Sequence, residues 1–225
     1  ASGTRPVVLV AASGREAEET VEAIRSWYSG DPYDVAHLEA WETLPHERLS
    51  PRADTVASRM AVFRRLKHPQ EGSKLFGPIR ILVMPVRSLI QPVVAGLADV
   101  EPLVFSQGEE LALEEASSRL VENAYTRVDL VMDRGEFAVR GGIIDVFPPT
   151  LPHPVRIEFF GDEIDTIREF HASDQRTYGE DVPVVLATPC RELQLTDKVS
   201  KRAKSLIGSI PNAEDMLESI ANDIP

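Results

Sequence analysis

The sequence has almost no cysteine: Cys190 is the only one in 225 residues. A lone thiol can close no disulfide within the chain, and no Cys/His metal cluster forms around it. Cytoplasmic residence is therefore expected. No apolar run approaches the ~20 residues that span a bilayer, and no signal peptide is visible, so no membrane partner is expected. Positive charge is in short supply. The 24 Lys and Arg face 36 Asp and Glu, for a net charge of -12. Phosphate contacts dominate nucleic-acid affinity and demand basic surface, which disfavours nucleic acid as the main ligand of this segment. A P-loop, G-x-x-x-x-G-K-[ST], is also missing. The five histidines (37, 46, 68, 153 and 171) are widely scattered in the sequence. No family signature pairs one of them with the cysteine. No cofactor, metal or catalytic residue is expected.

What is present is an ordinary globular composition, 43% hydrophobic and 27% charged, long enough for one large domain or two small ones. A core of that size needs no staple. The chain starts at Ala1-Ser2-Gly3 without a methionine, close to a strand, so it is expected to be a piece of a longer protein.

The first half reads as an α/β layer. "VVLVAA" (7–12) is apolar and β-branched, as in a strand of a parallel sheet buried on both faces. Ser13 and Glu16 have capping-box spacing, and a helix should follow over 14–28 with Ala17, Val21, Ile24 and Tyr28 on one face. A phosphate held at that helix N-terminus is the functional rival. Residues 34–51 read as strand then loop. Ser50-Pro51 looks like an N-cap and first turn for a helix striped by Val56, Met60 and Phe63. Its arginines 52, 59, 64 and 65 and Lys67 would form a solvated or phosphate-binding face. "IRILVMPV" (79–86) is a second buried strand, followed by a turn or short helix.

The pattern changes near 104–108, where a domain boundary is expected. A helix over 108–125 leads into short strands with turn signals, an antiparallel pattern: "RVDLVM", "EFAVR-GGIIDVF", "VRIEFF", "IDTIREF" and "VPVVLATP". The tail is helical with a break at 208–211. Alternation in "VRIEFF" puts Val155, Ile157 and Phe159 on a core face and Arg156, Glu158 and Phe160 on the other. Phe160 is then either covered by another layer or an exposed contact of a type enriched in binding hot spots. In "EFAVRGGIIDVF", simple alternation groups Arg140 with Ile144 and Val146, and Asp145 with Phe137, Val139 and Ile143. A bulge at Gly141-Gly142 would change that phase and turn Arg140 outward. Asp145 reads as a buried acceptor for backbone amides or an arginine. The carboxylates Asp162, Glu163 and Asp165 lie at a hairpin turn, where Gly-Asp is expected for backbone reasons.

"GEFAVRGGIIDVFPPT" (135–150), with "VRIEFFGDEIDTIREF" (155–170) and "DQRT" (174–177), resembles the bacterial transcription-repair coupling factors. It is more loosely similar to UvrB, the damage-verifying protein of nucleotide excision repair. "WETLPHERLSPRADTVASRMAVFRRL" (41–66) and "ILVMPVRSLIQP" (81–92) resemble the same family, so the likeness covers roughly 7–200. It implies an α/β fold, a degenerate helicase-like parallel-sheet domain carrying an inserted small antiparallel α+β domain. The boundaries would be 1–105 for the helicase-like domain, 106–190 for the insert and 191–225 for a mostly helical return segment. It implies that the insert docks onto UvrA through Arg140, Arg156 and Phe160, and that the chain is not an enzyme. It would recruit UvrA to lesion-stalled RNA polymerase. The longer parent would be an ATP-dependent DNA translocase that meets RNA polymerase and DNA through other domains and masks the UvrA surface until then. The alternative is a nucleotide- or DNA-binding fragment of an ATP-dependent helicase such as UvrB. In UvrB a Walker A motif lies upstream of the strand matching 7–12, so any such loop would precede Ala1. UvrB's tyrosine-rich DNA hairpin corresponds to a stretch here with one aromatic, Trp41.

Overall fold

A computed structural model describes residues 5–43, 50–73 and 76–222. The expected loop over 44–49 and parts of the 68–78 loop and the C-terminal tail lie outside them. The chain divides into two compact units, Ala1–Glu192 and Leu193–Pro225. The fold is mixed α/β, with one parallel sheet and two sheets built on antiparallel pairing. Among the described residues no helix is long and apolar enough to cross a membrane.

The first unit opens with a three-stranded parallel sheet of β1 (Val7–Ala11), β2 (Val35–His37) and β3 (Ile81–Pro85), in the order β1-β3-β2. Helix α1 (Gly14–Trp27) starts at Ser13, whose hydroxyl accepts the Glu16 amide, while the Glu16 carboxylate accepts the Ala12 amide at 2.9 Å. The expected stripe is the packed one: Ala17 and Val21 are buried, with Ile24 and Tyr28, against Val35 and Val83. Helix α2 (Ala53–Lys67) begins at Arg52 rather than at the expected Ser50, and no side chain caps it. Its Val62 and Phe63 pack with Ala36, Leu82 and Met84. The short α3 (Val86–Ile90) follows β3.

Strand β1 corrects one expectation. It is parallel, but not buried on both faces: Val7 is 59% exposed and Val10 50%. The apolar run suits an interior strand, yet among the described residues β1 pairs only with β3 and is an edge. Composition records a strand's environment in the finished sheet, not which neighbours a given stretch of chain supplies.

Helix α2 holds a second correction. Arg59 was expected on a polar face and is fully buried. Its Nε reaches Glu192 Oε1 at 2.6 Å and its Nη1 donates to the Glu39 carbonyl. The guanidinium carbon lies 5.0 Å from the Trp41 ring centroid, and the Trp41 indole N–H donates to the same Glu192 oxygen. The other basic residues of α2 are also employed internally. Arg64 pairs with Glu101, Arg65 donates to the Gly77 and Tyr33 carbonyls, and Lys67 pairs with Asp99.

The region expected as a boundary is itself a strand, β4 (Leu103–Ser106). After α4 (Leu113–Glu122) comes a sheet ordered β5-β6-β7-β8-β9: β5 (Thr126–Arg127), β6 (Glu136–Arg140), β7 (Ile143–Val146), β8 (Val155–Phe160) and β9 (Glu163–Glu169). β5 runs parallel to β6 and is much shorter than the expected strand; the other pairs are antiparallel. Strand β10 (Val184–Ala187) returns antiparallel to β4. Leu120 and Ala116 of α4 seal one face of the sheet with Phe105, Phe137, Ile144, Ile157, Ile164 and Ile167, all essentially inaccessible. Each large apolar side chain so buried contributes about 1.5–3 kcal/mol relative to exposure.

The second unit pairs α5 (Asp197–Leu206) with α6 (Glu214–Ala221). Thr196 caps α5 by accepting from the Val199 amide. Ala203, Leu217 and Ala221 form its small core, and the chain turns between the helices at Gly208, as the sequence suggests.

Candidate functional site

The face of the five-stranded sheet opposite α4 is built around one hairpin. β6 ends at Arg140 and β7 begins at Ile143, with Gly141-Gly142 as a two-residue turn. Gly141 has φ +59°, as a tight hairpin loop with a positive first position requires. Gly142 approaches β8 closely: its carbonyl accepts the Phe159 amide at 2.8 Å, and a Cβ there would sit 3.2 Å from the Phe159 oxygen. The two glycines therefore lie in the turn, not in a strand, and the bulge expected at them does not occur. A register shift falls instead in the β8–β9 pairing, where Glu158 faces Thr166 and Phe159 faces Ile164, leaving Asp165 of β9 as the extra residue.

That turn changes the parity. Arg140 pairs with Ile143 and Ala138 with Asp145, so Arg140 shares a face with Asp145, not with Ile144 and Val146 as counting through the glycines suggests. Across the next strand pair Asp145 stands opposite Arg156, and Ile143 opposite Glu158. Val155 and Ile157 are buried in the core and Phe159 packs against it. Arg156, Glu158 and Phe160 point the other way, so Arg140, Asp145, Arg156 and Phe160 share one face.

Asp145 is 2% exposed. Its Oδ1 accepts from Arg156 Nε at 2.7 Å, and its Oδ2 accepts from Arg156 Nη2 at 2.9 Å and Arg140 Nη2 at 3.0 Å. The bidentate arrangement is the strong form of this contact. The Asp145 carboxylate raises the pKa of the Arg156 guanidinium still further. Arg156 also lies 5.1 Å over the Phe170 ring, and its Nη1 reaches the Gln175 carbonyl at 3.4 Å. Exposure rises across the group: the side chain of Arg156 is 20% accessible and that of Arg140 52%, while Phe160, beside the Gly161 turn, is 82% exposed. Arg140 also borders a cleft of about 590 Å³ with Arg127, Val128, Asp129 and Val139. The arrangement presents guanidinium N–H donors and an aromatic ring together on one sheet face. Phe170 and Gln175, which hold Arg156 from behind, lie within the stretches 155–170 and 174–177 that carry the family resemblance, but no local pattern ties them to Arg156.

Other candidates have structural employment. The α1 N-terminus is occupied by its own Glu16 carboxylate, which would repel a phosphate. Among the described residues no group of three or more His, Cys, Asp or Glu could hold a metal. The histidines are less scattered than their numbers imply: His153 and His171 meet edge to face with ring centroids 6.0 Å apart, and His171 stacks on Tyr178. Burial pushes the Cys190 thiol up to about 12. The thiol stays protonated at neutral pH, and the folded state loses stability as pH rises from about 9 toward 12, where only the unfolded chain ionises. Alkylation of the native chain at pH 7.5 should therefore be far slower than that of a free thiol such as glutathione under matched conditions. Timed iodoacetamide labelling with and without urea measures this; equal rates would show the site open.

Residues 103–189 match the family model of the UvrB interaction domain. The chain is 48% identical over 220 residues to the transcription-repair-coupling factor of Mycobacterium tuberculosis, an alignment covering 97% of this chain and 18% of that protein. It is 34% identical over 196 residues to the Escherichia coli K12 protein of the same name, covering 87% and 16%. It is 36% identical over 207 residues to that of Myxococcus xanthus, covering 89% and 16%. The chain thus spans under a fifth of the length of these curated relatives.

Proposed function

Since the chain belongs to the transcription-repair-coupling factor family, we propose that it is the UvrA-recruiting segment of such a factor. The module at 106–190 docks onto UvrA through Arg140, Arg156 and Phe160. The parallel-sheet layer at 1–105 serves as a degenerate helicase-like scaffold, and 191–225 is the segment returning to it. The segment is non-catalytic and acts in the cytoplasm. RNA polymerase and DNA are met through other parts of the longer protein, which is an ATP-dependent DNA translocase. The observation that supports this most is an aromatic side chain, Phe160, 82% exposed on the same sheet face as two arginines. Aromatics and arginine are the residue types that carry binding energy at interface centres. The net charge of -12 and the self-occupied α1 N-terminus favour a protein partner over nucleotide or DNA.

Titration of the 225-residue chain with UvrA in a calorimeter should give saturable binding with weak salt dependence. Arg140→Ala should reduce the affinity about tenfold, as expected for a lost charge-assisted hydrogen bond of about 1.5 kcal/mol. Titration with ATP and with duplex DNA should give no heat. No heat with UvrA, or strongly salt-dependent DNA binding, would replace this reading with the helicase-fragment one.

A further inference from the structure

Arg140 and Arg156 lie on the same sheet face, but their surroundings differ. Arg156 has five guanidinium N–H groups and spends three of them inside the molecule, two on Asp145 and one on the Gln175 carbonyl. Arg140 spends one, on Asp145 Oδ2. Arg156 is also backed by the Phe170 ring and only 20% accessible, against 52% for Arg140. The two side chains come from β6 and β8, on either side of the strand that carries Asp145. Two guanidinium groups sharing one oxygen repel each other unless a negative charge lies between them. Asp145 supplies it from beneath, with both oxygens used and 2% exposure.

Resting on the docking reading, we propose that Asp145 is a positioning residue for UvrA binding: it gathers the two arginines into one preformed clamp, in which Arg156 is the brace and Arg140 the arm that reaches the partner. Preorganisation lowers the cost of ordering long side chains when the complex forms. The free N–H groups of the clamp fit a carboxylate or carbonyl oxygen of the partner.

Charge and positioning make opposite predictions. Two arginines and one aspartate give the cluster a net charge of +1. Asp145→Asn raises it to +2, which by charge alone strengthens attraction to an acidic surface. Positioning requires the reverse: an amide keeps one accepting oxygen, so with that oxygen at the shared position its NH2 faces the Arg156 Nε–H in place of Oδ1, and the neutral group no longer offsets the repulsion of the two guanidinium groups.

The experiment uses the 225-residue chain, checked for folding by thermal melts, with UvrA affinity read by calorimetry. Asp145→Asn is expected to weaken binding about tenfold, and to add little when Arg140 is already alanine, since coupled residues are non-additive. Arg156→Lys keeps the charge but loses the fork, and should weaken binding similarly; it carries the test if Asp145→Asn does not fold. In the free wild-type protein, NMR should find the Arg156 Nε–H slow to exchange, and fast in Asp145→Asn. Unchanged or tighter binding of folded Asp145→Asn, with Phe160→Ala still weakened, overturns the positioning role and leaves the docking reading intact. If neither Phe160→Ala nor Arg140→Ala affects UvrA, the docking reading itself fails. A fast-exchanging Arg156 Nε–H in the wild type overturns the clamp whatever UvrA does.

Discussion

Phe160→Ala is expected to weaken UvrA binding about thirtyfold, a loss of about 2 kcal/mol, without changing the melting temperature. The asymmetry comes from exposure. At 82% exposed the ring contributes little to the folded chain, and surface substitutions of this kind stay within about 0.5 kcal/mol. Covered by a partner, a phenylalanine ring removes ~150–250 Å² from water. At ~25 cal/mol per Å² that exceeds the expected loss even after the ordering costs of association. Calorimetry against UvrA, with a parallel thermal melt, reads both quantities. A folded variant that binds UvrA as well as the parent chain would exclude Phe160 as an anchor. A variant that melts early would instead show that the ring packs against something within the chain. Arg156→Ala gives a less clean result, because its side chain is mostly packed and its loss disturbs Asp145 as well.

Arg59→Ala is expected to cost about 3–5 kcal/mol of folding stability, or roughly 10 °C in melting temperature for a chain of this size. The side chain is fully inaccessible and its partner Glu192 nearly so. Removing the guanidinium strands a buried carboxylate, whose remaining bond is to the Trp41 indole, and takes a donor from the Glu39 carbonyl. The cost is that of an orphaned charge rather than the net worth of the pair. Accordingly Arg59→Met combined with Glu192→Leu should recover most of the loss, since an apolar pair of similar volume avoids desolvation. Differential scanning calorimetry of the single and double variants separates these contributions. If the double variant is no more stable than Arg59→Ala, the pair is worth more than its desolvation.

How much of this was legible in the sequence depended on the range of the interactions involved. The helix 14–27 could be read because its capping box and its 3.6-residue stripe are local. The face assignment of β8 came from parity, which holds along one uninterrupted strand. Parity failed at Arg140 because it was counted through Gly141-Gly142, and a two-residue turn reflects the chain where a bulge would only shift it. The glycines are compatible with both, and what separates them is the antiparallel pairing of Arg140 with Ile143 directly across them. Asp145 was correctly read as a buried acceptor, since a lone carboxylate among apolar strand residues needs donors. That both arginines would be those donors depended on strand register. Arg59 was misread because its partner lies 133 residues away, beyond any local pattern. The pairing of β4 with β10 was not legible, because the partner strand lies some eighty residues further along the chain.

The pairing of β4 with β10 also bears on engineering. Leu103 lies opposite Ala187, so the segment carrying the candidate docking face leaves and rejoins the chain one strand spacing apart, ~5 Å. Chain ends that close suit insertion into a foreign hairpin loop without prising it open. They also suit the reverse operation, in which a short turn replaces everything between them. The two adjoining ends are where the segment carrying Arg140, Arg156 and Phe160 would be joined to another host, with Thr188 and Cys190 carried along because Tyr125 and the core pack against them.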